Sequence, residues 1–101
     1  MPGICVLLAT GFEEIEAITV IDVLRRAELE VTILGVGGET ISGAHGLQVE
    51  TDQSLEDGLS LQWDAVVLPG GLPGATNLRD NPQVIELVRS THSAGGKLAA
   101  I

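Results

Sequence analysis

An α/β fold with a mainly parallel sheet is predicted for this chain of 101 residues, and three features carry the prediction. The runs Ile4 to Ala9 and Asp64 to Leu68 are apolar almost throughout, as strands buried on both faces are. A helix-length segment, Glu13 to Ala27, separates the first run from the β-branched stretch Glu30 to Gly35, which is the order of a βαβ unit. Glycine-rich turns close both apolar runs, at Thr10-Gly11 and at Pro69-Gly70-Gly71.

The elements follow in order. Ile4 to Ala9 is the first strand. Glu13 to Ala27 contains neither Gly nor Pro, opens on carboxylates and closes on Arg25-Arg26, so both ends suit the helix dipole. Glu30 to Gly35 stops at Val36-Gly37-Gly38, and a right-handed crossover makes it parallel to the first strand. The alternating pieces Glu39-Thr40-Ile41 and Leu47-Gln48-Val49-Glu50 flank a glycine-containing loop and predict a small hairpin or edge extension. Ser54-Leu55-Glu56-Asp57 predicts a capped turn or a very short helix before Gly58.

Asp64 to Leu68 is the next buried strand. It runs into Pro69-Gly70-Gly71-Leu72-Pro73-Gly74, a turn that neither a helix nor a ladder tolerates. Asn81 and Pro82 suit the N-cap and N1 positions of a helix reaching about His92, with Gly95-Gly96 as its stop. Lys97 to Ile101 begins one more strand. No repeat or linker interrupts the order, so the chain reads as one domain or part of one.

Composition narrows the function classes. Fourteen acidic against five basic residues give a formal charge of -9, which repels nucleic acid and anionic membrane surfaces. A single cysteine, Cys5, rules out an intrachain disulfide and fits a reducing cytoplasm; in the first strand it reads as a small apolar core residue. The run Ile4 to Ala9 is too short to span a bilayer, and Met1-Pro2-Gly3 offers no basic leader. A sheet of four or five parallel strands needs helices on both faces, whereas only two substantial helices are predicted and the last strand ends on Ala99-Ala100-Ile101. The expectation is therefore the N-terminal part of a domain, with a complementary C-terminal segment to follow.

Chemistry in such a sheet gathers beyond the carboxyl ends of its strands, near the switch in strand order. Gly11, Gly70-Gly71 and the position after Ile101 are three such ends. At about 100° per residue, Glu16, Val20, Val23 and Ala27 share a helix face with Leu24 beside them, which puts a carboxylate in the stripe expected to pack on the sheet. Two readings of Glu16 stand: a buried acid whose pKa rises and which donates a proton, or a first-turn residue reaching solvent or a backbone donor. Ile15, Ile18 and Ile21 lie on another face of the same helix, for a homodimer contact or for burial against the rest of the domain.

The Gly70-Gly71 turn either offers backbone N–H groups to an anion or oxyanion or is turn chemistry alone. Gly37-Gly38 reads as a simple turn. Neither stretch carries a phosphate-loop or dinucleotide fingerprint, so no cofactor is indicated. His45 is a candidate for the rim and His92 a helix-end residue, and no spacing of Cys, His and carboxylate predicts a metal site. No serine sits in a nucleophile-elbow context.

The series Ala9-Thr10-Gly11-Phe12-Glu13-Glu14-Ile15-Glu16-Ala17, Asp22-Val23-Leu24-Arg25-Arg26-Ala27, Val31-Thr32, Ser54-Leu55-Glu56-Asp57, Asp64-Ala65-Val66-Val67-Leu68-Pro69-Gly70-Gly71 and Ala99-Ala100-Ile101 resembles the ThiJ/PfpI superfamily. The likeness is to the branch holding YajL and the parkinsonism-associated protein deglycase. It implies a flavodoxin-like α/β sandwich, usually dimeric, of which residues 1–101 are the N-terminal part. It also implies a nucleophilic cysteine just past the Ala-Ala-Ile strand, a position this chain does not include. By position, Glu16 would hydrogen-bond that sulfur and Gly71 would lend an N–H to the same pocket. Arg26 would approach a partner subunit's pocket, and His45 replaces an arginine, which argues against anion binding there.

The activity so implied is a cofactor-free glyoxalase or protein deglycase acting on small reactive carbonyls or glycated protein. The alternatives are an oxidative-stress sensor or chaperone using the same cysteine, and a cysteine peptidase or amidotransferase relative.

Overall fold

The computed structural model describes residues 3–101; Met1 and Pro2, on which part of the leader reading falls, lie outside the described residues. Five strands form one parallel sheet in the order β5-β2-β1-β6-β7: β1 (Ile4–Ala9), β2 (Val31–Val36), β5 (Gln53–Ser54), β6 (Ala65–Leu68) and β7 (Lys97–Ala100). Between β2 and β5 the chain makes the antiparallel hairpin of β3 (Thr40–Ser42) and β4 (Gln48–Glu50). This is the predicted parallel α/β arrangement, hairpin included. The edge strand β5 has no counterpart in the sequence pattern, because its two residues are too few for any periodicity to show.

Alternation along β1 divides the core into two layers. Cys5, Leu7 and Ala9 face α2 (Leu55–Leu59), α3 (Gly74–Arg79) and α4 (Pro82–Ser93), packing with Leu34, Leu55, Trp63, Leu78, Val84 and Leu87. Val6 and Leu8 face α1 (Glu14–Arg26) and the hairpin, packing with Phe12, Ala17, Ile21, Ile33 and Ile41. Burial pushes the Cys5 thiol up to about 12, with a backbone hydrogen bond opposing, so this cysteine is an inert core residue at neutral pH.

Local signals set the helix ends. Asn81 accepts from the N–H groups of Gln83 and Val84 and Pro82 opens α4, as the sequence predicts. Ser54 likewise caps α2 through the Asp57 N–H, but α2 runs on through Gly58 to Leu59. Gly58 is tolerated there because the helix lies against Leu34: a Cβ at that position would be 2.5 Å from Leu34 Cδ1. The helix α3 corrects the expectation of a bare turn ending at Gly74. Gly74 starts it because its backbone lies on Gly11 and Phe12, where a Cβ would come within 2.7 Å of the Phe12 N.

The rotation of α1 also differs from the expected one. Ala17 and Ile21, flanked by Val20 and Leu24, form the sheet-facing stripe, and Val23 and Ala27 point outward. Apolar residues ring this helix, so periodicity alone did not choose its inner side; contacts at its first turn do. Ile15, Ile18 and Ile21 consequently do not form one outer surface. Ile15 is 75% exposed and Ile18 half-buried, whereas Ile21, at 5%, is a core residue and is removed from the expected contact face.

Candidate active site

The sheet reverses its direction of growth between β1 and β6, and the chain leaves both strands there through glycines. Gly11 follows β1 with φ +89° and lies against Pro73, so closely that any Cβ would collide with the ring. Gly71, beyond β6, has φ +94° and sits over the Glu13 N and the Gly11 carbonyl; a Cβ would be 2.5 Å and 3.0 Å from those atoms. Both positions therefore demand glycine, for backbone conformation and for space.

The first turn of α1 is fastened to this turn. The Glu13 N–H donates to the Gly70 carbonyl at 2.9 Å, and the Glu13 carboxylate caps its own helix by accepting from the Ile15 N–H at 2.7 Å. With Glu13 so held, Glu16 falls one turn later on the side of Gly70. The Gly70 N–H donates to Glu16 Oε1 at 3.0 Å. A Cβ on Gly70 would lie 2.5 Å from that oxygen and 2.8 Å from the Ile101 carbonyl oxygen. The structure thus gathers the Glu16 carboxyl, the Gly70 amide and the end of the last strand on one side of one glycine. Glu16 neither caps its helix nor lies in the sheet-facing stripe; it is half-buried at the edge of that stripe.

β7 reaches the same place by register. Leu68 of β6 pairs with Ala100, and the Ile101 N–H donates to the Leu68 carbonyl at 3.1 Å. Beside it, Leu68, Ala75, Leu78, Val84, Val88 and Ile101 line an apolar hollow between β7 and the helices α3 and α4. The Gly71 amide donates to no group among the described residues, while the Gly70 amide is taken by Glu16.

The other expected positions lie apart from this cluster. Arg26 is on the outer side of α1, where its Nε donates to Asp22 Oδ1 at 3.1 Å. His45, in the hairpin loop, faces two carboxylates: its Nδ1 is 2.9 Å from Glu14 Oε1 and 3.8 Å from Glu13 Oε1. That surrounding attracts a protonated imidazole and repels an anion.

Glu14 is the residue that sequence reasoning passed over. It is only 9% exposed, and its Oε2 accepts from the His45 N–H at 2.7 Å and the Leu47 N–H at 3.2 Å. Burial pushes its pKa up, but hydrogen bonds from the His45 ring and from the Glu14, His45 and Leu47 amides prevail and hold it at about 2. Both oxygens of Glu14 are committed to the loop. No spacing rule links residues 14 and 45, so only the folded hairpin reveals the pair.

The class this geometry defines is a parallel α/β domain with a carboxylate and a strand-end amide meeting beside its topological switch. The model of the DJ-1/PfpI family matches residues 3–101, and the chain belongs to that family. It is 45% identical over 97 residues to Protein dj-1beta of Drosophila melanogaster, covering 95% of this chain and 52% of that protein. Against the glutathione-independent glyoxalase DJR-1.2 of Caenorhabditis elegans it is 36% identical over 89 residues, covering 88% of this chain and 47% of that protein. The crystal structure of the DJ-1 superfamily protein STM1931 of Salmonella typhimurium, a cysteine-to-alanine mutant, superposes with a TM-score of 0.95 at 39% identity. That match covers 99% of this chain and 55% of the other. The chain thus spans about half the length of the relatives it matches. Among the described residues no helix is long and apolar enough to cross a membrane.

Proposed function

We propose that this chain is the N-terminal half of a cofactor-independent glyoxalase or deglycase whose nucleophilic cysteine directly follows Ile101. One observation carries the reading: Glu16 Oε1 accepts from the Gly70 N–H at 3.0 Å, on the side of Gly70 that also faces the Ile101 carbonyl. In this reading the residue after Ile101 brings its sulfur to the side of Gly70 where the Glu16 carboxyl is already held by a backbone donor. The similarity to a relative named as a glutathione-independent glyoxalase supports the choice of substrate class.

In this reading the thiolate adds to the aldehyde carbon of an α-oxoaldehyde and the carbonyl oxygen takes a proton, giving a hemithioacetal. Glu16 removes the proton from the former aldehyde carbon and returns it to the neighbouring carbon, while the hydroxyl proton passes from the first oxygen to the second, so that a hydroxy thioester forms. Water then releases a 2-hydroxy acid and restores the thiol. Methylglyoxal and water become lactate, with no external oxidant or reductant. The remainder of the domain would cover the apolar hollow beside β7, and the outer side of α1 around Ile15 and Ile18 would pair two copies.

The test is the full-length protein with methylglyoxal. Lactate should form, and Glu16→Gln should lower kcat/KM by about 10²- to 10⁴-fold, the usual range for losing a general acid–base. Formation of no lactate, or full activity in the Glu16→Gln variant, overturns the reading. A single added sulfinate under mild peroxide without lactate would support the sensor instead.

A further inference from the structure

We propose that the site admits uncharged α-oxoaldehydes and turns away those that carry an anionic group, and that Glu13 sets this selection. The selection rests on the same cysteine and carboxyl as the glyoxalase reading. Glu13 stands directly against the glycine turn: a Cβ on Gly71 would be 2.5 Å from the Glu13 N and 3.0 Å from the Glu13 Cβ. The Gly71 amide donates to no group among the described residues, so a substrate oxygen that takes this donor comes to rest beside Glu13. The carboxylate is also held in place. Its Oε2 accepts the Ile15 N–H at 2.7 Å, and with 26% of the side chain exposed it faces water at the mouth of the site instead of the core.

The charges around Glu13 leave it uncompensated. Three carboxyls, Glu13, Glu14 and Glu16, and one imidazole, His45, stand at the first turn of α1 and the loop over it. The imidazole sides with Glu14: its Nδ1 is 2.9 Å from Glu14 Oε1 but 3.8 Å from Glu13 Oε1. Residues 10–12 after β1 and 69–73 after β6 contain no titratable group. The rim is therefore net negative even with His45 protonated.

The basic residues do not offset that sign. Arg79, beside the hollow next to β7, brings its own counter-charge, with its Nε donating to Asp80 Oδ1 at 2.9 Å. Arg26 is paired with Asp22 at 3.1 Å, so an Arg26 presented by a second copy arrives with its carboxylate partner. Arg25 is taken by Asp52 at the other end of α1. Lys97 stands opposite Ala65, at the far end of β7 from Ile101, and Arg89 shares the outer side of α4 with Glu86. An anion approaching Gly71 thus meets a negative rim beside the apolar wall of Leu68, Ala75 and Ile101, and a wall of low dielectric strengthens the repulsion. An uncharged oxoaldehyde meets none.

The experiment uses the full-length protein and two alkylating agents that differ in charge, iodoacetamide and iodoacetate, each losing iodide as the cysteine sulfur bonds to its carbon. At low ionic strength the ratio of the amide rate to the acid rate should exceed that for 2-mercaptoethanol about three- to tenfold, the scale of one or two charges acting across roughly 7 Å of partly wet space. The excess should vanish in about 1 M salt, where charges are screened beyond about 3 Å. Glu13→Gln should remove most of it, since the glutamine oxygen still accepts from the Ile15 N–H. Glu28→Gln, beyond the other end of α1, changes the net charge equally and should leave the ratio as it is. In turnover, kcat/KM for 4-carboxyphenylglyoxal should fall below that for phenylglyoxal by a similar factor, and salt should narrow the gap, as it would not for a steric effect. A ratio equal to that of 2-mercaptoethanol, a ratio unmoved by salt, or equal effects of the two substitutions overturns the proposal. Alkylation requires no turnover, so a protein that forms no lactate yet keeps the salt-sensitive ratio overturns the glyoxalase reading and supports the selection.

Discussion

At the scale of single residues, the candidate site depends on glycines as much as on the acid. Gly70 brings its amide to Glu16 because no side chain stands between them, and alanine there would put a carbon 2.5 Å from the carboxylate and 2.8 Å from the Ile101 carbonyl. One of those groups must then move. Gly70→Ala in the full-length protein is expected to lower kcat/KM on methylglyoxal by about 10²-fold, the effect of misplacing a reacting group by about 1 Å. Unchanged kinetics would show that the contact of Glu16 with Gly70 is not needed. Sequence spacing brought Glu16 to notice for a wrong geometric reason. Spacing places it in the sheet-facing stripe, whereas Ala17 and Ile21 form that stripe and Glu16 stands at its edge. Glu14, more deeply buried than Glu16, had no signal at all, because its partners are the amides of a loop 31 and 33 residues away.

Among the elements, those with strong local chemistry agree between sequence and structure. The α4 helix is an example: Asn81 at the cap, Pro82 at the first position and Gly95 with φ +88° beyond its end are each sufficient to mark a boundary. Asn81→Ala should lower the unfolding free energy by about 1 kcal/mol, measured by urea denaturation of the full-length protein, with the m-value unchanged. A loss well under that amount would mean that the Gln83 and Val84 N–H groups find other acceptors. The α3 helix shows the opposite case. Pro73 and Gly74 are poor helix residues, and the element forms because its start packs on Gly11 and Phe12. The Thr76 hydroxyl adds a bond to the Pro73 carbonyl at 2.9 Å.

In the whole molecule, the order β5-β2-β1-β6-β7 puts β1 at the centre with a core layer on each face, and it leaves β7 thinly covered. The outer side of α1 adds exposed Ile15 and Val23. If that side pairs two copies, Ile15→Glu in the full-length protein should convert a dimer to a monomer in light scattering, with the far-ultraviolet circular dichroism retained. A variant that stays dimeric would assign the pairing elsewhere. By itself the sequence determined the parallel α/β class, the hairpin, the caps of α2 and α4 and the glycines at the strand ends. These follow from alternation, capping and turn chemistry acting over a few residues. Only the tertiary structure decided which side of α1 faces the sheet, that α3 exists, that Gly70 binds Glu16, and that Glu14 holds His45. Each of these depends on close approach between segments far apart in the chain, and local pattern carries no information about such distances.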